Sequence, residues 1–453
     1  MVTVMPACIE TYVAAIEFLY GRINYERVQV EAYSTSDFKL ERMRVLLSLI
    51  GSPHERIPAV HVAGTKGKGS TCAMLASVLT AAGHRAGLYI SPHISAFEER
   101  MTVDGVQPSP DELVALVNRL LPAITHMDSL PGQMQPTYFE LATAIAWLYF
   151  EERHADFAVL ETGLGGRLDS TNVCCPLVTV ITNVSRDHTQ ILGSTVRKIA
   201  WEKAGIIKPG VPIVSGVSHS DAIEIVEQMA HERGAPLSLL GREVHVIARN
   251  QTDEAATTVD VQTGRSVWSE VPVSLRGTHQ ATNAALVLAA IDELRAQGVS
   301  IPDAAVKAGM SRVRWPGRVE VVSQRPIVVI DAAHNWESAR ALIATLREDF
   351  HPRHRLLIFA ATRDKDVSGL LRILVPEFDT ILFTKYLDNP RSVPTAELLS
   401  FVRSISNREA HTAETPAAAW QLAQRWAGPD DLIAITGSFF LVAELRDLVL
   451  ASV

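Results

Sequence analysis

The segment Val60 to Thr71, VHVAGTKGKGST, runs from a short apolar stretch into a turn rich in glycine and basic residues and then into a helical pattern. Gly64, Gly67 and Gly69 allow backbone N–H groups to turn toward an anion, Lys68 adds a point charge, and the following helix presents its positive end to the same place. Such a cradle, with Ser70 and Thr71 beside it, suits a nucleoside triphosphate. The spacing GxxGKGS departs from the common GxxxxGK[ST] loop because Gly69 separates the lysine from the hydroxyl.

A second group of residues could bring a metal to that phosphate. Glu161 ends the apolar run FAVLE and opens the glycine-rich ETGLGGRLDSTN, Asp187-His188 follows VTVITNV (178–184), and Ser91 follows RAGLYI in the turn ISPH. Residues at the carboxyl ends of strands line the ligand crevice of open α/β sheets. Glu161, His188 and Ser91 are therefore predicted to face the same cleft as Ser70, and hard oxygen ligands plus one imidazole suit magnesium. Ordinary roles stay open for each. A carboxylate at a strand end can cap the next helix, Asp-His pairs occur in turns, and Lys66 and Lys203 read by themselves as solvated lysines. The adjacent Cys174-Cys175 reads as buried packing.

The elements that must position these residues follow from periodicity. FAVLE, VTVITNV and VPIVSG (211–216) alternate with helical stretches such as Glu140 to Glu151, which predicts a parallel sheet covered by helices. Between about 243 and 275 the pattern becomes polar-apolar alternation around Thr263-Gly264-Arg265, an antiparallel appendage. A helix is predicted over 281–297 and another, helix-like, over 197–205. After Arg314-Trp315-Pro316-Gly317-Arg318, the runs VEVVS, PIVVIDAAHN, RLLIFAA, DTILFTK and DLIAITGS begin a second α/β alternation. The domain boundary is placed near 313–318, giving domains 1–314 and 315–453.

The composition agrees with two α/β domains. The chain has 453 residues, 47% of them hydrophobic and 20% charged, enough for large cores. A net charge of −8 without a basic run argues against nucleic acid as the main partner. Cys8, Cys72, Cys174 and Cys175 show no CxxC spacing or disulfide framework, which fits a reducing compartment and argues against zinc. No targeting segment or membrane-spanning run is recognisable, so a soluble cytoplasmic protein with no membrane partner is expected.

Taken in order, HVAGTKGKGS, YISPH, TYFE, ETGLGGRLDSTN, DHTQILG, IAWEKAGIIKPG, HQATNAALVLAA, WPGR, DAAHN, RDKD (363–366) and TGSF resemble the folylpolyglutamate synthase and dihydrofolate synthase family within the Mur-type amide ligases. The resemblance covers nearly the whole chain. It implies an N-terminal phosphate-loop ATPase domain of three layers with a mostly parallel sheet, and a smaller Rossmann-like C-terminal domain, with the active site in the cleft between them and WPGR as a hinge region. It further implies that Gly64, Gly67, Lys68, Gly69 and Ser70 hold the ATP phosphates, with Asn283, Arg318, Asp331 and His334 completing the nucleotide site. Without it, Asn283 reads as a cap of the helix it opens and Arg318 as a surface ion pair.

By the same resemblance Ser91, Glu161, His188 and Lys203 match magnesium ligands at two sites, Lys203 being the lysine that is carbamylated in the family. Lys68, Glu161, His188 and Lys203 are then the catalytic set. Thr137, Tyr138, Phe139 and Glu140, with Leu168, Asp169 and Ser170, match segments contacting the pterin-bearing substrate, and His334 and Ser438 lie near the glutamate pocket. The implied reaction phosphorylates a substrate carboxylate with ATP and lets the amine of L-glutamate attack the acyl phosphate, the acceptor being dihydropteroate or tetrahydrofolate. A monomer is expected. Arg167-Leu168-Asp169 leans toward including dihydrofolate synthesis. Two departures stand out: Lys66 where the family's GTNGKGS has asparagine, and Ala332 and Trp336 where its DGAHNP has glycine and proline. Alternatives are a cell-wall Mur ligase acting on a nucleotide-sugar peptide, a nucleotide-binding module without turnover, and, less well matched, a phosphate-loop kinase.

Overall fold

A computed structural model describes residues 8–25, 38–251, 257–363, 365–387 and 391–452. Asp364, in the RDKD motif, lies outside the described residues. The chain divides into two compact units, Met1–Ser274 with Ala281–Val313, and Leu275–Gln280 with Arg314–Val453.

The first unit is built on strands β1 (Ala59–Ala63), β2 (Ala86–Tyr89), β3 (Met101–Val103), β4 (Phe157–Glu161), β5 (Pro176–Ile181), β6 (Ile213–Ser215) and β7 (Leu237–Leu239). Their order across the sheet is β3-β2-β4-β1-β5-β6-β7. All neighbours are parallel except β3, which runs antiparallel to β2. β1 and β4 are buried at every residue, as strands covered on both faces must be. The helix Tyr138–Glu152 is apolar around nearly its whole circumference and joins the large core on one side of the sheet. A second core gathers Ile181, Ile199, Ile206, Ile213 and Val226.

This order explains how distant motifs meet. The carboxyl ends of β2, β4, β1 and β5 lie side by side, with Tyr89 opposite Leu160, Val62 opposite Glu161 and Ala63 opposite Ile181. The loops beginning at Ile90, Thr162, Gly64 and Thr182 therefore emerge at one edge. β5 ends at Ile181, three residues before the sequence run VTVITNV does. Beyond it the Thr182 N–H still bonds Ala63 O at 2.9 Å, and the side chains of Thr182 and Asn183 bond the loop after β1.

β8 (His245–Gln251), β9 (Thr257–Gln262) and β10 (Val267–Val273) form the antiparallel sheet expected from the alternating pattern. Its β9–β10 turn is tied to the helix Thr278–Ala296. The Asp292 carboxylate accepts the hydroxyls of Thr263 at 2.5 Å and Ser266 at 2.6 Å, and Arg265 forks onto Glu293 at 2.8 and 2.9 Å.

The second unit contains β11 (Glu320–Gln324), β12 (Ile327–Ile330), β13 (Arg355–Phe359), β14 (Thr380–Phe383), β15 (Glu409–Thr412) and β16 (Leu432–Thr436), in the order β11-β12-β16-β13-β14-β15. Only β11 is antiparallel to its neighbour. β12 and β16 are adjacent, so the loops after Ile330 and Thr436 open at the same edge. β3, β7 and β15 have three or four residues each and carry too little periodicity to be read from sequence. Among the described residues no helix is long and apolar enough to cross a membrane.

Candidate functional site

The loop after β1 is shaped by backbone conformation. Gly64 has φ +156° and Gly67 has φ +81°, and the helix Lys68–Ala81 starts directly afterwards. A Cβ on Gly64 would stand 1.9 Å from Thr182 Oγ1, and one on Gly67 would stand 2.5 Å from Asn283 Oδ1. Glycine is thus required twice, by conformation and by space. The loop is held from below: the Asn183 Oδ1 atom accepts the N–H groups of Thr65 at 3.1 Å and Lys66 at 2.8 Å, and the Thr182 hydroxyl donates to Lys66 O at 2.6 Å. Gly67→Ala is expected to add about 1–2 kcal/mol of strain to this turn and weaken ADP binding about tenfold, measured by titration calorimetry.

Lys68 Nζ lies 3.7 Å from Glu161 Oε1, and the other Glu161 oxygen accepts the Ser91 N–H at 3.2 Å. Ser91, Lys68 and Glu161 are therefore brought together. Lys203 is not the solvated lysine of the isolated reading. It is only 4% exposed, and its ammonium donates to Gly64 O at 2.8 Å. Burial first, then the charges of Lys68 and Lys66, push it down to about 7, against the opposing pull of Asp187 and Asp169. Lys66 is likewise not simply solvated, since Nζ lies 2.9 Å from Asp187 Oδ2. His188 is exposed and has a left-handed backbone, φ 48°, and its ring nitrogen Nε2 is 3.9 Å from Asp187 Oδ1.

The residues present fit a triphosphate and a hard cation. The cradle has glycines at its two tight points, a cation at the helix start, and the buried Thr71 hydroxyl, which has no hydrogen-bond partner among the described residues. Glu161 and the hydroxyls of Ser70 and Ser91 supply oxygen donors. Among the described residues, no three His, Cys, Asp or Glu side chains converge into a metal-holding group.

Asn283 sits inside the helix Thr278–Ala296 instead of opening it, with its amide against Gly67. The capping reading is thereby corrected. Thr137, Tyr138, Phe139 and Glu140 begin the helix Tyr138–Glu152. Thr137 is its N-cap, accepting the Glu140 N–H, while Glu140 accepts the Thr137 N–H and pairs with Arg42 at 2.7 Å in the interior. Tyr138 is buried, and Phe139 packs so closely on Gly163 that a Cβ there would meet its ring at 2.4 Å. Asp169 is buried and its carboxyl is raised by that burial, although the N–H groups of Leu164 and Thr171 hold its oxygens. Ser170 Oγ lies 2.7 Å from Thr143 Oγ1, and Leu168 is half-buried beside them in sequence. Arg167 pairs with Glu202 at 2.9 Å and stacks on Trp201. Cys174 is buried but Cys175 is exposed, so only one of that pair serves packing.

In the second unit Asp331 leaves β12 and accepts the N–H groups of Val319 at 2.9 Å and Ala333 at 2.8 Å. Burial raises its carboxyl, and the Arg318 charge opposes the rise. Arg318 is not a simple surface ion pair: its guanidinium lies over the Phe439 ring at 4.9 Å, and the His334 ring is 5.4 Å from the same ring. Val319 holds φ 44°, a costly conformation for a β-branched residue, immediately after Arg318. Ser438 caps the helix Phe439–Leu450 by accepting the Phe440 N–H. Ala332 is buried without a left-handed backbone, so glycine is not required there. Trp336 is 49% exposed under the guanidinium of Arg340.

Sequence reasoning passed over Thr182, Asn183 and Arg42, and over the pairing of Asp187 with Lys66. Their partners are about a hundred or more residues away in sequence, and no local pattern marks them.

An α/β unit with a glycine-shaped turn after its first strand, followed by a second, mostly parallel α/β unit, is the arrangement of a Mur-type ligase. Residues 62–291 match the Mur ligase middle domain and residues 317–439 match the Mur ligase glutamate ligase domain. The chain is 38% identical over 409 residues to the dihydrofolate synthase/folylpolyglutamate synthase of Bacillus subtilis, covering 90% of this chain and 94% of that one. It is similar to a Mycobacterium tuberculosis folylpolyglutamate synthase complexed with ADP, with a TM-score of 0.86, 32% identity and coverage of 97% and 98% of the two chains. E. coli FolC in complex with DHPP and ADP aligns at a TM-score of 0.84 with 28% identity over 99% of both chains. The chain belongs to the folylpolyglutamate/dihydrofolate synthase family of Mur ligases.

Proposed function

We propose that this chain is an ATP-dependent amide ligase that adds L-glutamate to the carboxylate of a dihydropteroate or folate. The observation that carries the reading is the glycine-shaped loop after β1 with Lys68 facing Glu161, in a chain similar to this family along nearly its whole length.

A carboxylate resists amine attack until one oxygen becomes a good leaving group. Transfer of the γ-phosphoryl from ATP supplies that, and the resulting acyl phosphate is attacked by the glutamate amine, releasing phosphate and leaving an amide. Gly64, Gly67, Gly69 and Ser70 orient the phosphates through loop N–H groups and a hydroxyl, and Lys68 opposes the charge that builds during transfer. Asn283 in the first unit, and Arg318, Asp331 and His334 in the second, are nucleotide-binding residues. Tyr138, Phe139, Leu168 and Ser170 line the pterin side, while Thr137, Glu140 and Asp169 shape it through capping and turn bonds. Ser438 with His334 receives glutamate. Residues 1–314 act as the ATP-binding domain and 315–453 as the glutamate-ligase domain. The protein acts as a cytoplasmic monomer.

Ser91, Glu161, His188 and Lys203 would hold magnesium, which when bound neutralises phosphate charge. Lys203 fits that role once carbamylated. Its neutral amine attacks the carbon of carbon dioxide, a proton leaves, and a carboxylate replaces a cation. Held down to about 7 by burial, Lys203 offers far more neutral amine at physiological pH than a solvated lysine does. Activity after exhaustive removal of carbon dioxide is expected to fall and to recover with bicarbonate, and Lys203→Ala should lose that response while regaining activity with added short carboxylates.

The decisive experiment is phosphate release from ATP with magnesium and L-glutamate, comparing dihydropteroate, tetrahydrofolate and no acceptor, with mass spectrometry of the product. Turnover with dihydropteroate and a gain of one glutamate establishes dihydrofolate synthase activity, and further additions to tetrahydrofolate make the enzyme bifunctional. Absence of acceptor-dependent release with both overturns the folate reading.

A further inference from the structure

Lys66 occupies the position where the family's loop usually carries asparagine, and its ammonium reaches Asp187 Oδ2 at 2.9 Å, each side chain 27% exposed. That contact closes a series. The Thr65 N–H bonds Asn183 O at 3.0 Å, the Ser185 N–H bonds Thr65 Oγ1 at 3.0 Å, and Lys66 is held through its own N–H and carbonyl by Asn183 and Thr182. Thr182, Asn183, Ser185 and Asp187 are thus laced to Thr65 and Lys66, and the Lys66–Asp187 pair ties down the residue that precedes His188, whose backbone is left-handed with φ 48°. Lys68 lies instead against Glu161 at the helix start.

We propose that Lys66 is a positioning residue that acts through Asp187, pinning the turn that carries His188 to the phosphate loop, and does not itself serve as a phosphate-binding cation. The proposal rests on the ligase reading above for the role of His188. A cation reaching the phosphates directly would help nucleotide binding with or without a metal, whereas a tie on the His188 turn affects only the metal-supported part.

The test uses the full chain with ADP as probe, titrated calorimetrically in chelator and across a magnesium series, for Lys66→Met, Asp187→Asn, the double variant and Lys66→Arg. Lys66→Met and Asp187→Asn should each raise the magnesium concentration that half-maximally tightens ADP binding about fivefold, with metal-free ADP affinity unchanged. The double variant should be no worse than either single one, and Lys66→Arg should restore the native value. If Lys66→Met weakens metal-free ADP binding while Asp187→Asn does not, Lys66 acts on the phosphates and the proposal falls. Wild-type magnesium dependence in all four variants overturns it equally. The ligase reading fails by a separate result, native ADP binding without glutamate-dependent turnover.

Discussion

Lys68→Met is expected to lower kcat/KM for ATP roughly 10²–10³-fold, the scale on which loss of one preorganised charge or donor is felt at a reacting centre. Lys68 is the first residue of the helix that follows the glycine turn, with 17% of its side chain exposed, close to Glu161. Its charge adds to the positive end of the helix, in surroundings less polar than bulk water. Steady-state kinetics with varied ATP would measure the loss, and the KM for L-glutamate should move by much less. A variant retaining native kcat/KM for ATP would remove Lys68 from phosphoryl transfer and would require another cation there.

The largest loss of stability is expected from Arg42→Met. The Arg42–Glu140 pair has side-chain exposures of 6% and 7% and an N–O distance of 2.7 Å. Removing the cation leaves a carboxylate in the interior, which costs about 3–5 kcal/mol. Glu140 also closes the start of the helix Tyr138–Glu152, so the penalty falls on an element packed in the main core. A drop in the urea midpoint of the first unit would measure it. The double variant Arg42→Met/Glu140→Gln should recover part of the loss by removing the stranded charge, and failure to recover would assign the effect to packing by the arginine stem.

These two residues illustrate what could be read in advance. Lys68 was legible because everything that gives it meaning lies within a dozen residues: an apolar strand, three glycines and a helix start. β4 ends at Glu161, where the apolar run ends, and the β9–β10 turn falls at Thr263-Gly264-Arg265 for the same local reason. Arg42 was illegible because Glu140 is 98 residues away, and Lys203 looked solvated because its partner Gly64 O is 139 residues away. Burial of a charge is decided by the layers that close over it. The capping alternative for Asn283 failed for a related reason, since the helix begins at Thr278, several residues before its apolar run.

Cys72 sits in the helix Lys68–Ala81, wholly buried, its thiol pushed well up by burial and by the nearby Glu161. Thiol reagents attack the thiolate and need access, so this sulfur reacts only when the helix lifts. Cys8 and Cys175 are exposed and Cys174 is the other buried thiol. With those three replaced, the labelling rate of Cys72 becomes a clock, native to the fold, that counts how often the floor of the phosphate cradle opens and how far a bound nucleotide slows it.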